Sequence, residues 1–299
     1  MTRDKQDILC IGSVLWDIIG RSPRDMRAGN DMPGRITRIP GGVAMNIAMT
    51  LARFGLRPVL LSALGRDAAG DELVKAAQDM GLATDHIYRS ARPTDAYMAI
   101  EGANGLIAAI ADAHSLEAAG EEIVAVLRDG TLGSTDAPYA GCIALDGNLT
   151  EALLKQIAGD VAFSKADLRV APASPGKAKR LRAVIRHKGA TLYVNLEEAE
   201  LISGARRLRT AKDGAKALLD AGAQRVIVTH GSQTACDACA SDIYEAAPPP
   251  VVAKRITGAG DTFMAAHIAA ELQGRSRANA IEFAQKTAAA YVAGDDRYA

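Results

Sequence analysis

Short, continuously apolar runs alternate with longer helical patterns along almost the whole chain, and this alternation constrains the fold more than any other feature. Strands that are apolar at every position are typical of a parallel sheet covered by helices on both faces. The alternation therefore predicts an α/β fold with a doubly wound, mostly parallel sheet flanked by helices. Strands are predicted at residues 8–12, 58–65, 142–145, 168–173, 191–195 and 225–231. Helices are predicted at residues 41–54, 70–80, 117–128, 150–158, 175–187, 197–204, 211–221, 258–273 and 276–293.

Two segments interrupt this rhythm. Residues 18–40 are rich in glycine, proline and charge, and residues 94–111 contain two β runs joined at the sequence GANG, which is a hairpin signal. A hairpin has no place in a parallel sheet, so we expect the two segments to form a small β lid. Such a lid would lie over the carboxyl ends of the strands, where open α/β sheets bind ligands. With no repeat and no linker in view, residues 1–299 are predicted to form a single domain.

The composition excludes several classes of partner. Lys plus Arg and Asp plus Glu each number 35, so no net charge attracts nucleic acid or an anionic membrane. No apolar run approaches the roughly 18 residues of a membrane helix. The sequence MTRDKQ at the start leads into a strand without the pattern of a signal peptide. We therefore expect a cytoplasmic protein.

The four cysteines predict neither a disulfide framework nor a metal site. Cys236 and Cys239 have the Cys-x-x-Cys spacing of zinc and redox sites, but no second cysteine or histidine pair completes a zinc site. We expect this sequence, CDAC, to lie in a loop between β runs and to have no functional role.

The sequence RITGAGDTFMAAHIAAEL, residues 255–272, starts a helix with almost no side chains. Bare N–H groups at Gly258, Ala259 and Gly260, together with the helix dipole, form an anion site. Asp261 places a negative charge in the same turn. It either caps the helix or acts as a general base that deprotonates an alcohol during attack on a phosphoryl group. A base beside amides that stabilise the transferred charge is the arrangement of an alcohol kinase.

A second glycine-rich turn lies near the start of the chain. Asp17 follows the first strand, and Gly41 and Gly42 open a helix that carries Asn46. Asp17 and Asn46 can bind sugar hydroxyls, while the glycines allow a ligand to approach the backbone. Each residue alone also fits a structural role, as a loop acid, a tight turn or a helix-surface amide. Walker-type and protein-kinase phosphate loops are absent, so phosphoryl transfer here needs other machinery.

Together these segments resemble the PfkB, or ribokinase-like, carbohydrate kinases. The sequences GGVAMNIAMTLARFGLRPVLLSALGRDAAGDEL and ITGAGDTFMAAHIAA resemble the two signatures of that family. VNLEEAELISG resembles its Asn-x-x-Glu segment, and VIVTHGS resembles the strand and turn that border the nucleotide. The resemblance implies a ribokinase-like fold, a small-molecule sugar or nucleoside substrate, ATP and Mg²⁺. It also implies a homodimer formed through the lid, because lids in this family often pair between two subunits.

The resemblance implies a role for each matching residue. Those implied in catalysis are the base Asp261 and the anion hole Gly258, Ala259 and Gly260. Those implied in substrate binding are Asp17, Gly42 and Asn46, with Gly41 beside them. Those implied in binding ATP and magnesium are Asn195, Glu198, Thr229 and Gly231. Glu198 suits Mg²⁺ through water, because this ion prefers hard oxygen ligands and retains water.

Three positions depart from the family pattern. Arg255 stands where many members carry an acid that helps to bind a monovalent cation, which makes activation by such a cation doubtful, since a guanidinium could take its place. Ala171 stands where an Asp-Pro pair is common. The sequence GSQTAC lacks the second glycine that usually follows the nucleotide turn, so contacts to the purine are expected to differ.

The acceptor is predicted from three local matches to the pseudouridine-phosphorylating members of the family, in APASPGKAKRL, LIAAIADAHSLE and LDGNLTEALL. Asp112 would then pair with a base N–H at the pocket mouth, or else be a turn acid that ends a strand. The predicted reaction transfers the γ-phosphoryl group of ATP to the 5′-hydroxyl of pseudouridine. The alternatives are a kinase of another sugar or nucleoside, such as ribose or adenosine, and a binding regulator without catalysis. A dinucleotide-dependent oxidoreductase is disfavoured because the first strand lacks Gly-x-Gly-x-x-Gly.

Overall fold

The computed structural model describes residues 7–295. The start of the chain at MTRDKQ and residues 296–299 of the predicted domain lie outside the described residues. The strands are β1 (Asp7–Ile11), β2 (Leu15–Arg21), β3 (Arg35–Gly41), β4 (Arg57–Leu61), β5 (Ala63–Gly65), β6 (Tyr88–Ser90), β7 (Ala96–Gly102), β8 (Gly105–Asp112), β9 (Cys142–Asp146), β10 (Asp167–Ala171), β11 (Ala190–Asn195), β12 (Arg225–His230), β13 (Gln233–Cys239) and β14 (Ile243–Ala246). The α-helices are α1 (Val43–Arg53), α2 (Ala68–Asp79), α3 (His114–Ala119), α4 (Glu151–Gly159), α5 (Leu196–Ser203), α6 (Ala211–Asp220), α7 (Ala259–Leu272) and α8 (Arg277–Val292). The 3-10 helices are Gly120–Leu127, Val161–Phe163 and Pro175–Ala183.

An eight-stranded sheet forms the centre of the molecule, in the order β14-β13-β12-β11-β10-β9-β1-β4. The strands from β12 to β4 pair in parallel, and β13 and β14 pair in antiparallel fashion. The predicted doubly wound, mostly parallel sheet is therefore confirmed. Because parallel strands end at one edge, the residues that follow them are brought together there.

Both faces of the sheet are buried, as the continuous apolar runs predict. In β1, Leu9 and Ile11 pack into the layer that contains α4 to α6, whereas Ile8 and Cys10 pack into the layer that contains α1, α7 and α8. Helix α7 is buried at every position from Thr262 to Ala270, because the sheet, α1 and α8 surround it. No helix in the described part of the chain has enough apolar length to cross a membrane.

Strand β13, which pairs with β12 and β14, corrects the prediction that CDAC lies in a loop. Cys236 and Asp237 are fully buried within β13. The prediction failed because an acid in a short polar run is typical of a loop. Asp237 is tolerated because the Arg225 and Arg277 guanidinium groups contact its carboxylate at 2.6 and 2.5 Å. A buried carboxylate needs such partners.

A second sheet of four strands, in the order β3-β2-β7-β8, stands apart from the central one. The hairpin predicted at GANG is confirmed, with β7 and β8 paired in antiparallel fashion. Segments 18–40 and 94–111 supply most of this sheet, although β2 already begins at Leu15 and β8 extends to Asp112. We call this sheet the lid.

Three predicted elements differ from the observed ones. The strand predicted at 58–65 divides into β4 and β5, because β5 pairs with β6 in a separate two-stranded sheet. The helix predicted at 117–128 divides into α3 and a 3-10 helix at Gly120, whose φ of 51° lies in the left-handed region. The helix predicted at 175–187 is a shorter 3-10 helix, Pro175–Ala183, of which Arg182 donates to the Ile202 carbonyl at the end of α5 at 2.8 Å.

Candidate active site

A cleft of about 700 Å³ opens at the carboxyl ends of the parallel strands, beneath the lid. Eleven of the thirteen residues predicted for the site line this cleft. They are Asp17, Gly42, Asn46, Asn195, Glu198, Thr229, Gly231, Gly258, Ala259, Gly260 and Asp261. The structure thus brings together residues that are more than 200 positions apart in the chain, and it leaves Gly41 and Asp112 outside the lining.

The first turn of α7 is partly open to a ligand. Gly258, the N-cap, has a φ of 86°, and a Cβ there would lie 2.6 Å from the Tyr291 hydroxyl, so the fold itself requires this glycine. The Ala259 amide donates to the Ile256 carbonyl at 3.0 Å, whereas no acceptor for the Gly260 and Asp261 amides is found within residues 7–295. A Cβ at Gly260 would meet no protein atom. This glycine therefore keeps space open in the cleft beside two donors, which suits an anion.

Asp261 lies half-buried at the third position of α7. Asn46 in α1 donates through Nδ2 to its Oδ2 at 2.9 Å. Burial raises the pKa of the Asp261 carboxyl to about 7; the Asn46 hydrogen bond opposes this shift, and the negative charges of Asp146, Asp17 and Glu198 add to it. A carboxylate with a pKa near neutrality is suited to accept a proton at physiological pH.

Asp17 occupies the lid side of the cleft. It lies in β2, and burial raises the pKa of its carboxyl to about 6. A Cβ at Gly41, in the neighbouring strand, would clash with this carboxylate, and a Cβ at Gly42 would clash with the Ser13 carbonyl. The glycine pair is therefore required by protein atoms, and of the two only Gly42 also reaches the cleft.

Asn195 and Glu198 line the cleft beside Thr229 and Gly231, where β11 and β12 end. The Asn195 side chain accepts from the Glu198 amide at 2.9 Å, and Glu198 Oε2 accepts from the Asn195 amide at 2.8 Å, so the Asn-x-x-Glu segment is a capping box for α5. Glu198 is buried, which raises the pKa of its carboxyl to about 7, and no Lys, Arg or His within residues 7–295 pairs with it. A buried carboxylate that lacks a counter-charge fits a cation such as Mg²⁺.

Asp112 does not line the cleft. Side chains alternate along a strand, and Ala111 lines the cleft, so the Asp112 carboxylate is on the other face of β8. It is 62% exposed and contacts His114 Nδ1 at 2.7 Å. This placement does not support the predicted contact between Asp112 and a base N–H.

The cleft also contains polar residues that were not assigned roles from the sequence. Lys177 is the one Lys or Arg in the lining, as far as the chain is described, and its Nζ donates to Asn148 Oδ1 at 2.5 Å. Tyr97 enters from the lid, and Ser13 lies at the end of β1. The signal that could have identified Ser13, Asn148 and Lys177 is their position shortly after β1, β9 and β10, at the edge where ligands bind.

Arg255 fastens the loop before α7 to the end of α8. Its guanidinium donates to the carbonyls of Tyr291 and Asp295 at 2.7 and 3.0 Å and lies 4.1 Å from the Tyr291 ring centroid. The Tyr291 hydroxyl in turn donates to the Thr257 carbonyl at 2.7 Å. A cation is favourable at a helix C-terminus, where carbonyl groups lack partners.

At the opposite end of α7, Asp237, His267 and Glu271 lie close enough to hold a metal ion. Arginine guanidinium groups already contact both carboxylates at 2.5 to 2.6 Å. A second cation would be repelled there, so we assign this cluster a structural role: it fixes the C-terminal end of α7.

Comparison with known proteins places the chain in a family. Residues 5–295 match the pfkB family of carbohydrate kinases. The chain is 30% identical to pseudouridine kinase of Escherichia coli (strain K12), over 95% of this chain and 89% of that protein.

Solved structures agree with this match. A carbohydrate kinase from Agrobacterium tumefaciens superposes with a TM-score of 0.80 at 25% identity, over 98% of this chain and 92% of that one. Ribokinase of Arabidopsis thaliana, solved with ribose and ATP, superposes with a TM-score of 0.78 at 19% identity, over 97% and 93%, and is evidence for the fold alone. The ribokinase-like fold is thereby confirmed. The chain belongs to the pfkB family of carbohydrate kinases and is an ATP-dependent phosphotransferase.

Proposed function

We propose that this kinase transfers the γ-phosphoryl group of ATP to the 5′-hydroxyl of pseudouridine. The observation that carries the proposal is the first turn of α7, which combines a carboxylate with a near-neutral pKa and two amides without an acceptor in the described part of the chain. The similarity to pseudouridine kinase of Escherichia coli over nearly the whole chain supports the acceptor.

Asp261 accepts the proton of the acceptor hydroxyl while that oxygen attacks the γ-phosphorus and ADP leaves. Asn46 engages Oδ2 of Asp261, so Oδ1 is the oxygen available to the acceptor. The amides of Gly260 and Asp261 donate to the oxygens of the transferred phosphoryl group, which carry the charge that moves between ATP and the acceptor.

Asp17 and Lys177 orient the acceptor from opposite sides. With a pKa of about 6, the Asp17 carboxyl is ionised at neutral pH and accepts hydrogen bonds from ribose hydroxyls. Lys177, held by Asn148, donates to a carbonyl oxygen of the base. Tyr97 closes the lid side of the same space.

Asn195, Glu198, Thr229 and Gly231 bind the phosphates of ATP and their Mg²⁺. Glu198 would hold the ion through water, with the carboxylate oxygen that does not accept from the Asn195 amide. When bound, Mg²⁺ neutralises part of the charge on the phosphates.

The acceptor is tested by measuring ADP release with pseudouridine, uridine, adenosine and ribose at equal concentrations. We expect the highest kcat/KM for pseudouridine, with a preference over uridine of at least about tenfold, because pseudouridine carries one base N–H that uridine lacks, and a site that pairs with this N–H disfavours the analogue without it. A preference for ribose or adenosine would instead assign the chain to the alternative, a kinase of another sugar or nucleoside. Absence of ADP release with every acceptor would support the binding regulator.

Replacement of the base tests the role of Asp261. Asp261→Asn keeps the shape and the acceptor for Asn46 but cannot take a proton, so kcat should fall about 10²–10⁴-fold with little change in KM for ATP. In the unchanged enzyme, kcat/KM should rise with pH through about 7, since the base must be deprotonated, and the variant should lose this rise. The matched control is Asp79→Asn, an exposed acid paired with Lys75. A kcat in Asp261→Asn equal to that of the control would refute the assignment.

The kinase is further proposed to need no monovalent cation, because the Arg255 guanidinium already binds the carbonyls at the end of α8. Rates in potassium, sodium and choline chloride at equal ionic strength should agree within about twofold. Activation by potassium of tenfold or more over choline, about 1.4 kcal/mol, would contradict this.

A homodimer is proposed to form through the lid. The outer face of the lid exposes Ile36, Met98, Ile100 and Ile110, at 77%, 47%, 40% and 70%, and the strand register places them side by side. Contiguous apolar patches of this kind mark interfaces, and a chain without net charge does not repel its copy. Sedimentation velocity should show a dimer that Ile110→Glu dissociates, while Val161→Glu, an exposed apolar residue elsewhere, should leave it intact. A monomer in the unchanged protein would exclude the interface.

A further inference from the structure

Asp146 is a fully buried carboxylate at the end of β9, behind Ser13 and Asn148, which line the cleft. Its Oδ2 accepts from the amide and the hydroxyl of Ser13 at 2.7 and 2.5 Å, and from Asn148 Nδ2 at 3.2 Å. Its Oδ1 accepts from the Asn148 amide at 2.8 Å. No Lys, Arg or His within residues 7–295 contacts it as an ion pair. Burial of an unpaired carboxylate lowers the stability of the fold, so we expect Asp146 to have a role beside the cleft.

Ser13 connects Asp146 to helix α1. The N-cap of α1 is Gly42, which has no side chain to satisfy the first amides. The Ser13 hydroxyl accepts from the Val43 amide at 2.9 Å, and the Ser13 carbonyl accepts from the Met45 amide at 3.3 Å. The cap of α1 is thus supplied by a residue from β1, which Asp146 holds in place.

Helix α1 carries Asn46 one turn further on. The Asn46 amide donates to the Gly42 carbonyl at 2.8 Å, and its side chain donates to Asp261 at 2.9 Å. The orientation of the Asp261 carboxylate therefore depends on where the first turn of α1 lies.

We propose that Asp146 is a positioning residue for phosphoryl transfer, because through Ser13 it fixes the first turn of α1 and with it the Asn46 amide that orients Asp261. The inference rests on the proposed role of Asp261 as the base. A displacement of about 1 Å far from the reacting atoms can reduce a rate about 10²-fold, so such a support has a measurable effect.

The charge of Asp146 has a second, separable effect. The groups that face Asp261 are the carboxylates of Asp17, Asp146 and Glu198, the Asn46 amide and the Tyr291 hydroxyl. Burial is the largest cause of the raised pKa of Asp261, and the negative charge of Asp146 raises it further. Removing that charge therefore lowers the pKa of Asp261 and moves the acid limb of the rate profile to lower pH. Removing the Ser13 hydroxyl leaves the charge in place.

The experiment compares Ser13→Ala, Asp146→Asn and Thr210→Ala with the unchanged enzyme, using ATP and the acceptor with the highest kcat/KM. Thr210 is the matched control, since it caps α6 by accepting from the Asp213 amide at 3.1 Å and does not line the cleft. We expect kcat to fall at least about tenfold in both cleft variants, with KM for ATP within about threefold, and to change less than about twofold in the control. The acid limb of kcat/KM should move to lower pH only in Asp146→Asn. Circular dichroism and ADP binding establish that each variant is folded.

Unchanged kcat in both cleft variants would overturn the proposal, as would an equal loss in Thr210→Ala, which would indicate general destabilisation. If Asp146→Asn does not fold, Ser13→Ala alone decides. Failure of the base assignment itself would give a different result, namely full kcat in Asp261→Asn. Loss of activity in Asp261→Asn with full activity in Ser13→Ala and Asp146→Asn would refute only the positioning role.

Discussion

The burial of helix α7 between the sheet and two other helices is the constraint on which the rest of the structure depends. Its side chains from Thr262 to Ala270 are all buried, so the helix cannot shift along its axis without disrupting the core. Its C-terminal end is fixed by Glu271, which Arg169 and Arg225 contact at 2.5 and 2.6 Å. Its N-terminal end is fixed by the glycine turn at Gly258. The open amides and Asp261 therefore stand at a defined place at the carboxyl edge of the sheet.

The cleft built around that end is rich in carboxylates and contains few cations. Asp17, Glu198 and Asp261 line it, and the pKa of each carboxyl is raised, mainly by burial. Carboxylates held close together in a partly dry site raise the free energy of the ligand-free enzyme. On the proposed mechanism, magnesium and a hydroxyl that gives up its proton would lower this free energy. A cleft with several carboxylates therefore favours a phosphate donor that carries a metal cation over an anionic ligand that carries none.

The sequence predicts the elements whose local pattern agrees with their final environment. Continuous apolar runs identified the parallel strands, and bare glycines before Asp261 identified the start of α7. Strand β13 was missed because Asp237 is polar and its arginine partners are distant in sequence. The face on which Asp112 lies could not be predicted, because a strand's register, not its composition, decides which side faces the cleft. Similarly, no local signal reveals that Ser13, 30 residues before Val43, caps α1.

The glycines illustrate the same difference between pattern and cause. Gly41 and Gly42 are required by the Asp17 carboxylate and the Ser13 carbonyl, and Gly42 also lines the cleft. Gly258 is required because a Cβ there would meet the Tyr291 hydroxyl, whereas a Cβ at Gly260 would meet no protein atom within 4 Å. The Gly-Ala-Gly motif that was predicted to bind phosphate therefore combines one glycine that the fold requires with one that leaves space for a ligand.

The central claim is that the start of α7 holds the migrating phosphoryl group beside a basic carboxylate. It is tested most directly by a crystal structure with ADP, magnesium, aluminium fluoride and the preferred acceptor. The account predicts that the fluoride ligands accept from the Gly260 and Asp261 amides and that the acceptor oxygen lies about 3 Å from Asp261 Oδ1. An aluminium fluoride group bound elsewhere in the cleft, or an acceptor oxygen beyond reach of Asp261, would contradict it.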